Sequence, residues 1–229
     1  EKNPDEITEY FYKSYILILT KLMKINEMKS IAFNNMGNLY LNGKGFKKNE
    51  LKAKEYFEMA EKLNNAYAIN SIGNFYKTGS LGERNYTKAF EYYIKSSELK
   101  NPESFHNLGY LYLTGYGIQQ DLVKAYDYFL KGANLNNVSS YRMLAFMRLY
   151  GEGIQQDFQK AKEYYDKAIE LNDYNSLVSE GFLYYYGHSV EKDYLKAREL
   201  FQLAADKNVA NGYYNLGKMY KRGDFGYRN

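Results

Sequence analysis

The chain has 229 residues, a net charge of +4 and no cysteine. That length suits one ordinary domain or one solenoid. The missing cysteine excludes disulfides and thiolate metal sites, and the mild positive charge never gathers into the basic run that marks a nucleic-acid or membrane patch.

In chain order, the most apolar stretch is Tyr10–Leu22. It is too short to span a bilayer, Lys13 interrupts it, and it lacks the small-residue cleavage site of a signal peptide. Residues 1–29 are expected to form an irregular leading helix that caps the first repeat. The chain opens at Glu1 and stops in the loop-like GDFGYRN, so it reads as a piece of a longer protein whose compartment is left open.

From residue 31 a strict period takes over. The spacing predicts a helix A over 31–42, with Ala32, Phe33, Met36, Gly37, Leu39 and Tyr40 on one face. Gly43 and Gly45 then predict a left-handed helix end. A helix B is expected over 50–63, with Asn49 as N-cap and an apolar stripe of Ala53, Tyr56, Phe57 and Ala60. The same features return every 36 residues: Gly37, Gly73, Gly109, Ala145, Gly181 and Gly217 in helix A, and Ala53, Ala89, Ala125, Ala161 and Ala197 in helix B. The loop glycines Gly43, Gly79, Gly115, Gly151, Gly187 and Gly223 keep step, as do the N-caps Asn49, Asn85, Asp121, Asp157 and Asp193. A glycine in mid-helix costs about 1 kcal/mol against alanine. Its recurrence, with Ala145 as the one exception in its column, points to a close helix–helix approach that requires small size rather than positive φ. One helix pair cannot bury both its faces, so neighbouring pairs must stack. The expected organisation is a solenoid over 30–229, with five full repeats and helix A of a sixth.

The run LGYLYLTGYGIQQDLVKAYDYFLKGA, Leu108–Ala133, resembles the Sel-1-like repeat: a Leu-Gly pair, Tyr three residues later, Gly-x-Gly, an Asp, Lys-Ala, then aromatic pairs and small residues. The likeness extends over about residues 30–229. It implies an all-α, right-handed superhelical solenoid of antiparallel helix pairs that serves as an adaptor or scaffold for proteins. Cysteine-rich members of that family once described as β-lactamase-like carry a Cys pair in each repeat, which this chain lacks.

The helix-A face opposite the core is the expected partner surface, lining the concave side. Its columns begin with amides (Asn34, Asn38, Asn70, Asn74), continue through His106 and Arg142, and become aromatic at Tyr110, Phe146, Tyr150, Phe182 and Tyr186. Amides can grip an extended peptide backbone, and aromatics at solvent-facing positions suggest an apolar binding patch. Two core columns break their own rule: Arg148 replaces a recurrent Tyr, and Glu180 stands in an otherwise apolar column. A lone buried charge is costly, so the two are expected to pair with each other across adjacent repeats.

The expected function is therefore a non-enzymatic scaffold that binds a protein or extended peptide. No cofactor, metal, nucleic acid or membrane insertion is expected, and end-to-end self-association through the terminal repeat is allowed for. A hydrolase would need a nucleophile–base pair, and the two histidines, His106 and His188, stand far apart in the repeat frame; His188 is expected to be a solvated loop residue. A nucleic-acid binder would need Lys/Arg along the inner face, which instead shows Asn and aromatics.

Overall fold

The computed structural model describes residues 4–25, 28–188 and 191–224, with side chains from residue 7 onward. Every regular element among them is a helix. After α1 (Pro4–Leu22) come the pairs α2 (Lys29–Asn42) and α3 (Glu50–Glu61), α4 (Ala66–Thr78) and α5 (Tyr86–Glu98), and α6 (Pro102–Thr114) and α7 (Leu122–Ala133). Then follow α8 (Val138–Tyr150) and α9 (Phe158–Glu170), α10 (Asn175–Tyr186) and α11 (Tyr194–Asp206), and α12 (Ala210–Arg222). Helices A and B thus stand where the period places them. The chain divides into two compact units, residues 1–120 and 121–229, which hold α1–α6 and α7–α12.

Local chemistry starts and stops each helix. The side chains of Asn49, Asn85, Asp121, Asp157 and Asp193 each accept a hydrogen bond from the backbone N–H three residues on, at 2.8–2.9 Å. That satisfies one of the amides that helix geometry leaves orphaned. At the other end of helix A, Gly115 and Gly151 both take φ 72°, the left-handed conformation in which the helix ends. The second glycine of Gly-x-Gly serves a different need. A Cβ on Gly117 would stand 2.5 Å from Cβ of Tyr86 at the start of α5, so the loop is pressed onto the preceding helix B.

The joint from helix B to the next helix A is a two-residue device that composition concealed. Asn64, Lys100, Asn136, Asn172 and Asn208 all have positive φ, between 56° and 66°. The residue after each donates its backbone N–H five residues back, as in Asn65 to Ala60 O at 3.1 Å and Asn137 to Gly132 O at 3.0 Å. Asn65, Asn101 and Asn137 then cap the following helix. Asn tolerates the left-handed region; Lys does so at a cost of about 1–2 kcal/mol. Lys100→Gly is therefore expected to stabilise the chain by up to about 1 kcal/mol, read as a higher urea midpoint at unchanged slope. An unchanged midpoint would mean that Lys100 bears no strain.

Side-chain size sets the helix spacing. In the first unit, a Cβ on Gly37 would lie 2.5 Å from Cε1 of Phe57, and one on Gly73 would lie 2.7 Å from Cε1 of Tyr93; both rings are fully buried. In the second, a Cβ on Gly181 would lie 2.6 Å from Cε1 of Phe201. The glycine of helix A thus makes room for the aromatic of helix B twenty residues on. Where the column carries a real Cβ, at Ala145, it packs against Tyr165. The rest of each core follows the predicted stripes. In the first unit, Ala53, Phe57 and Ala60 of α3 meet Ala68, Ile72 and Phe75 of α4, and Leu19 of α1 packs on Ala32, Met36 and Leu39 of α2. In the second, Phe201, Ala204 and Ala205 of α11 meet Leu216 and Met219 of α12.

Candidate functional site

Four of the singled-out aromatics come together in the second unit. Phe146 and Tyr150 stand one turn apart on α8, and Phe182 and Tyr186 occupy the same positions on α10. Within each pair the rings touch, with centroids 4.7 Å apart for Phe146–Tyr150 and 5.9 Å for Phe182–Tyr186. Between them opens a cleft of about 570 Å³. Leu149 of α8, Tyr165 of α9 and Leu183 of α10 also line it, and the last two are buried. Tyr150 and Tyr186 remain 61% and 57% exposed, so two large rings sit in water with no intramolecular need to do so. Burial pushes the Tyr165 phenol up, partly offset by Ser179, which also lines the cleft.

The loops complete the walls with residues the helical columns did not flag. Phe158, the first residue of α9, stacks on His188 with ring centroids 4.8 Å apart and planes 8° from parallel. His188 also lies 5.8 Å from the Tyr186 ring. It is exposed, as expected of a loop residue, yet belongs to the cleft wall. Gln156 donates Nε2 to the Leu149 carbonyl at 2.8 Å, which leaves its amide oxygen as an acceptor. Among the described residues, no Lys, Arg, Asp or Glu lines the cleft. It is suited to apolar or aromatic groups, with a few polar atoms to orient them.

The remaining singled-out residues are not among those that line this cleft. Tyr110 is exposed on α6, in the first unit. Arg142 is exposed on α8, with Nε 3.7 Å from Oδ2 of Asp173. Asn34, Asn38, Asn74 and His106 are half-buried. Asn34 Oδ1 is buried without a hydrogen-bond partner, and Asn74 Oδ1 accepts from the Tyr93 hydroxyl at 2.8 Å. Asn70 departs from the expectation of an open amide row. It is buried, and its Oδ1 accepts from Asn107 Nδ2 at 3.0 Å, so it bridges α4 to α6.

The expected Arg148–Glu180 pair does not form. Arg148 donates to the Tyr126 hydroxyl from Nε at 3.1 Å and Nη2 at 3.0 Å, and to the Gln155 carbonyl from Nη1 at 3.1 Å. Glu180 instead meets Lys162 Nζ at 3.2 Å, and that ammonium also binds Asp166 at 2.9 Å. The physical reason is that both face a preceding helix B rather than each other: Tyr126 lies on α7 and Lys162 on α9. The signal was present in the repeat frame. Tyr126 and Lys162 occupy the same column of helix B, which reads Lys54, Phe90, Tyr126, Lys162, Arg198.

Among the described residues, no group of three His, Cys, Asp or Glu is placed to hold a metal ion, and no helix is long and apolar enough to cross a membrane. Comparison with curated proteins gave no match. Solved structures that resemble this one include a Sel1 repeat protein from Oxalobacter formigenes, with TM-score 0.83 and 24% identity over 96% of this chain and 91% of that one. A protective antigen of uropathogenic Escherichia coli strains displaying an SLR fold gives TM-score 0.70 and 26% identity; the match covers 85% of this chain but only 42% of that one. An immunity protein of Pseudomonas aeruginosa gives TM-score 0.50 and 20% identity over 70% of this chain and 60% of that one. The Sel1 repeat profile matches residues 31–65, 66–101, 102–137, 138–173, 181–209 and 210–229. Repeat register, helix-pair stacking and sequence profile agree: the chain belongs to the Sel1 repeat family, an all-helical solenoid scaffold.

Proposed function

We propose that this chain is a non-enzymatic scaffold that binds a protein or extended peptide, with the cleft between α8 and α10 as the main anchor for an apolar side chain of the partner. The observation that carries this reading is the aromatic lining itself: the exposed rings of Phe146, Tyr150 and Tyr186, with half-buried Phe182, frame a cleft of about 570 Å³. Exposed rings around a concave site are the common chemistry of interaction hot spots. Further candidate partner contacts are Asn34, Asn38, Asn74, His106 and Tyr110 on helices A of the first unit and Arg142 on α8 of the second. Residues 1–29 act as the cap of the solenoid formed by 30–229. Hydrolysis has weaker support. Ser179 and His188 both line the cleft, but His188 stacks on Phe158 and no hydrogen bond joins it to Ser179.

The test uses peptides selected from a random display library on the wild-type chain. Tyr150→Ala/Tyr186→Ala is expected to weaken the selected peptides by about 30-fold or more, since each truncation removes a contact of hot-spot type. Melting temperature should change little, because both rings are exposed. Equal affinity for a folded double variant would reject the cleft as the main site.

A further inference from the structure

The first unit carries a cation that no carboxylate among the described residues neutralises. Lys77 belongs to a helix-A column that reads Leu41, Lys77, Leu113, Leu149, Tyr185, Lys221. It is half-buried, its ammonium lies 5.9 Å from the Tyr93 ring centroid, and its hydrogen bond goes to a neutral acceptor, Asn107 Oδ1, at 3.0 Å. Desolvation alone pushes the Lys77 ammonium below its ordinary range. Two other shielded cations are treated differently: Lys162 has Asp166 and Glu180, and Arg148 is shared between the oxygens of Tyr126 and Gln155. A desolvated ammonium without an anion is costly, and a protein that keeps one leaves room for an anion to bind.

The surrounding amides are oriented to suit one. An ammonium can only donate, so Asn107 must present its oxygen to Lys77 and its Nδ2 elsewhere. That Nδ2 donates to Asn70 Oδ1 at 3.0 Å, while the single Ser104 hydroxyl proton goes to Ser96 Oγ, which itself donates to the Ala66 carbonyl. Asn74 Oδ1 is taken by the Tyr93 hydroxyl at 2.8 Å. The carbonyl oxygens of Asn70, Asn74 and Asn107 are thus all used internally. What remains open is a set of donors: two N–H of Lys77 and the Nδ2 groups of Asn74 and Asn70. Asn70, Asn74 and Lys77 follow the i, i+4, i+7 spacing that puts them on one stripe of α4.

We propose that Lys77, with Asn74 and Asn70 beside it on α4, forms a binding site for a peptide carboxylate, supplied by an acidic side chain or a free C-terminus. The charge count selects this class. One ammonium balances one carboxylate, whose second oxygen can take the amide N–H₂ groups. A phosphate dianion would leave net negative charge in a half-desolvated place. This site lies in the first unit and does not depend on the aromatic cleft of the second.

The test is an NMR titration of the full chain, following the side-chain amides of Asn70, Asn74 and Asn107 and the Cε signal of Lys77. Four probes are compared: N-acetyl-glycyl-aspartyl-glycinamide, N-acetyl-glycyl-asparaginyl-glycine with a free C-terminus, its fully blocked amide, and inorganic phosphate. Saturable shifts with either carboxylate peptide, absent with the blocked amide, support the site, and the stronger of the two identifies the source. The Lys77 ammonium should titrate at higher pH in the bound state. Lys77→Met, which restores an apolar residue to the column, should weaken carboxylate binding by at least about tenfold. Lys77→Gln, which keeps a donor for Asn107 but no charge, should do the same if the methionine variant folds poorly. Equal shifts with the blocked amide, tighter binding of phosphate than of either carboxylate, undiminished binding in a folded Lys77 variant, or no saturable shift with any probe would each overturn the proposal.

Discussion

Gly181→Val is expected to destabilise the chain by about 3 kcal/mol, whereas Gly217→Ala, one repeat on in the same column, is expected to stabilise it by up to about 1 kcal/mol. A Cβ at Gly181 would stand 2.6 Å from Cε1 of Phe201, a ring 1% exposed and held from several sides, so it cannot move away cheaply. Valine adds two methyl groups beyond that Cβ, and overpacking of this kind typically costs about 1–3 kcal/mol. Gly217 is exposed on α12 with nothing within 4 Å of the position its Cβ would take. There only helix propensity acts, and it favours alanine. For a chain of this size the two changes correspond to melting shifts of roughly −6 to −12 °C and up to about +4 °C. Similar shifts for both variants would show that the recurrent glycine is not a spacing device.

The second large effect concerns Glu180 and Lys162. Burial raises the Glu180 carboxyl above its usual range, and the Lys162 charge only partly offsets this. Burial also opposes the Lys162 charge, but the hydrogen bond to Asp166 and the charge of Glu180 outweigh it and hold its pKa up. The carboxylate is therefore the losing partner. Glu180→Leu, which restores the residue found at Leu108, Leu144 and Leu216 in the same column, is expected to stabilise the chain by about 1–3 kcal/mol. Lys162→Met should instead cost about 2 kcal/mol near neutral pH, because it leaves Glu180 buried and unpaired. The value is below that of a fully buried pair because the Lys162 side chain is 21% exposed. The pH dependence separates the causes. The folded state binds the Glu180 proton more tightly than the unfolded chain does, so the folded state gains as pH falls through the folded pKa. The deficit of Lys162→Met should shrink over that window, and Glu180→Leu should lose its advantage over the wild type. Urea midpoints measured from neutral pH down to about pH 4 would check this, pH 4 being close to the unfolded carboxylate value. A deficit that stays constant would assign the effect to lost side-chain contacts instead.

Much of the fold was legible because a repeat tests each position against its own copies. The aligned glycines, alanines and N-caps located every helix pair, and the aromatic columns by themselves pointed to Phe146, Tyr150, Phe182 and Tyr186. The Asn joints were lost for a compositional reason: in a chain rich in Asn, residues at Asn64, Asn136, Asn172 and Asn208 look like bias, although their left-handed backbone shows a positional need. Asn70 was misplaced because a helical wheel cannot distinguish an open groove from a contact between neighbouring helices A.

The sequence by itself determined the repeat, the helix boundaries and the small-residue spacing, since these rest on local backbone preference and on one-dimensional register. Tertiary structure alone decided the pairings. It placed Glu180 on Lys162 and Arg148 on Tyr126, brought the loop residues Phe158 and His188 into the cleft wall, and set Lys77 against a neutral amide rather than a carboxylate. Those outcomes depend on which helix faces which across several ångströms. A periodic pattern fixes the order of such faces but not the partner each side chain reaches.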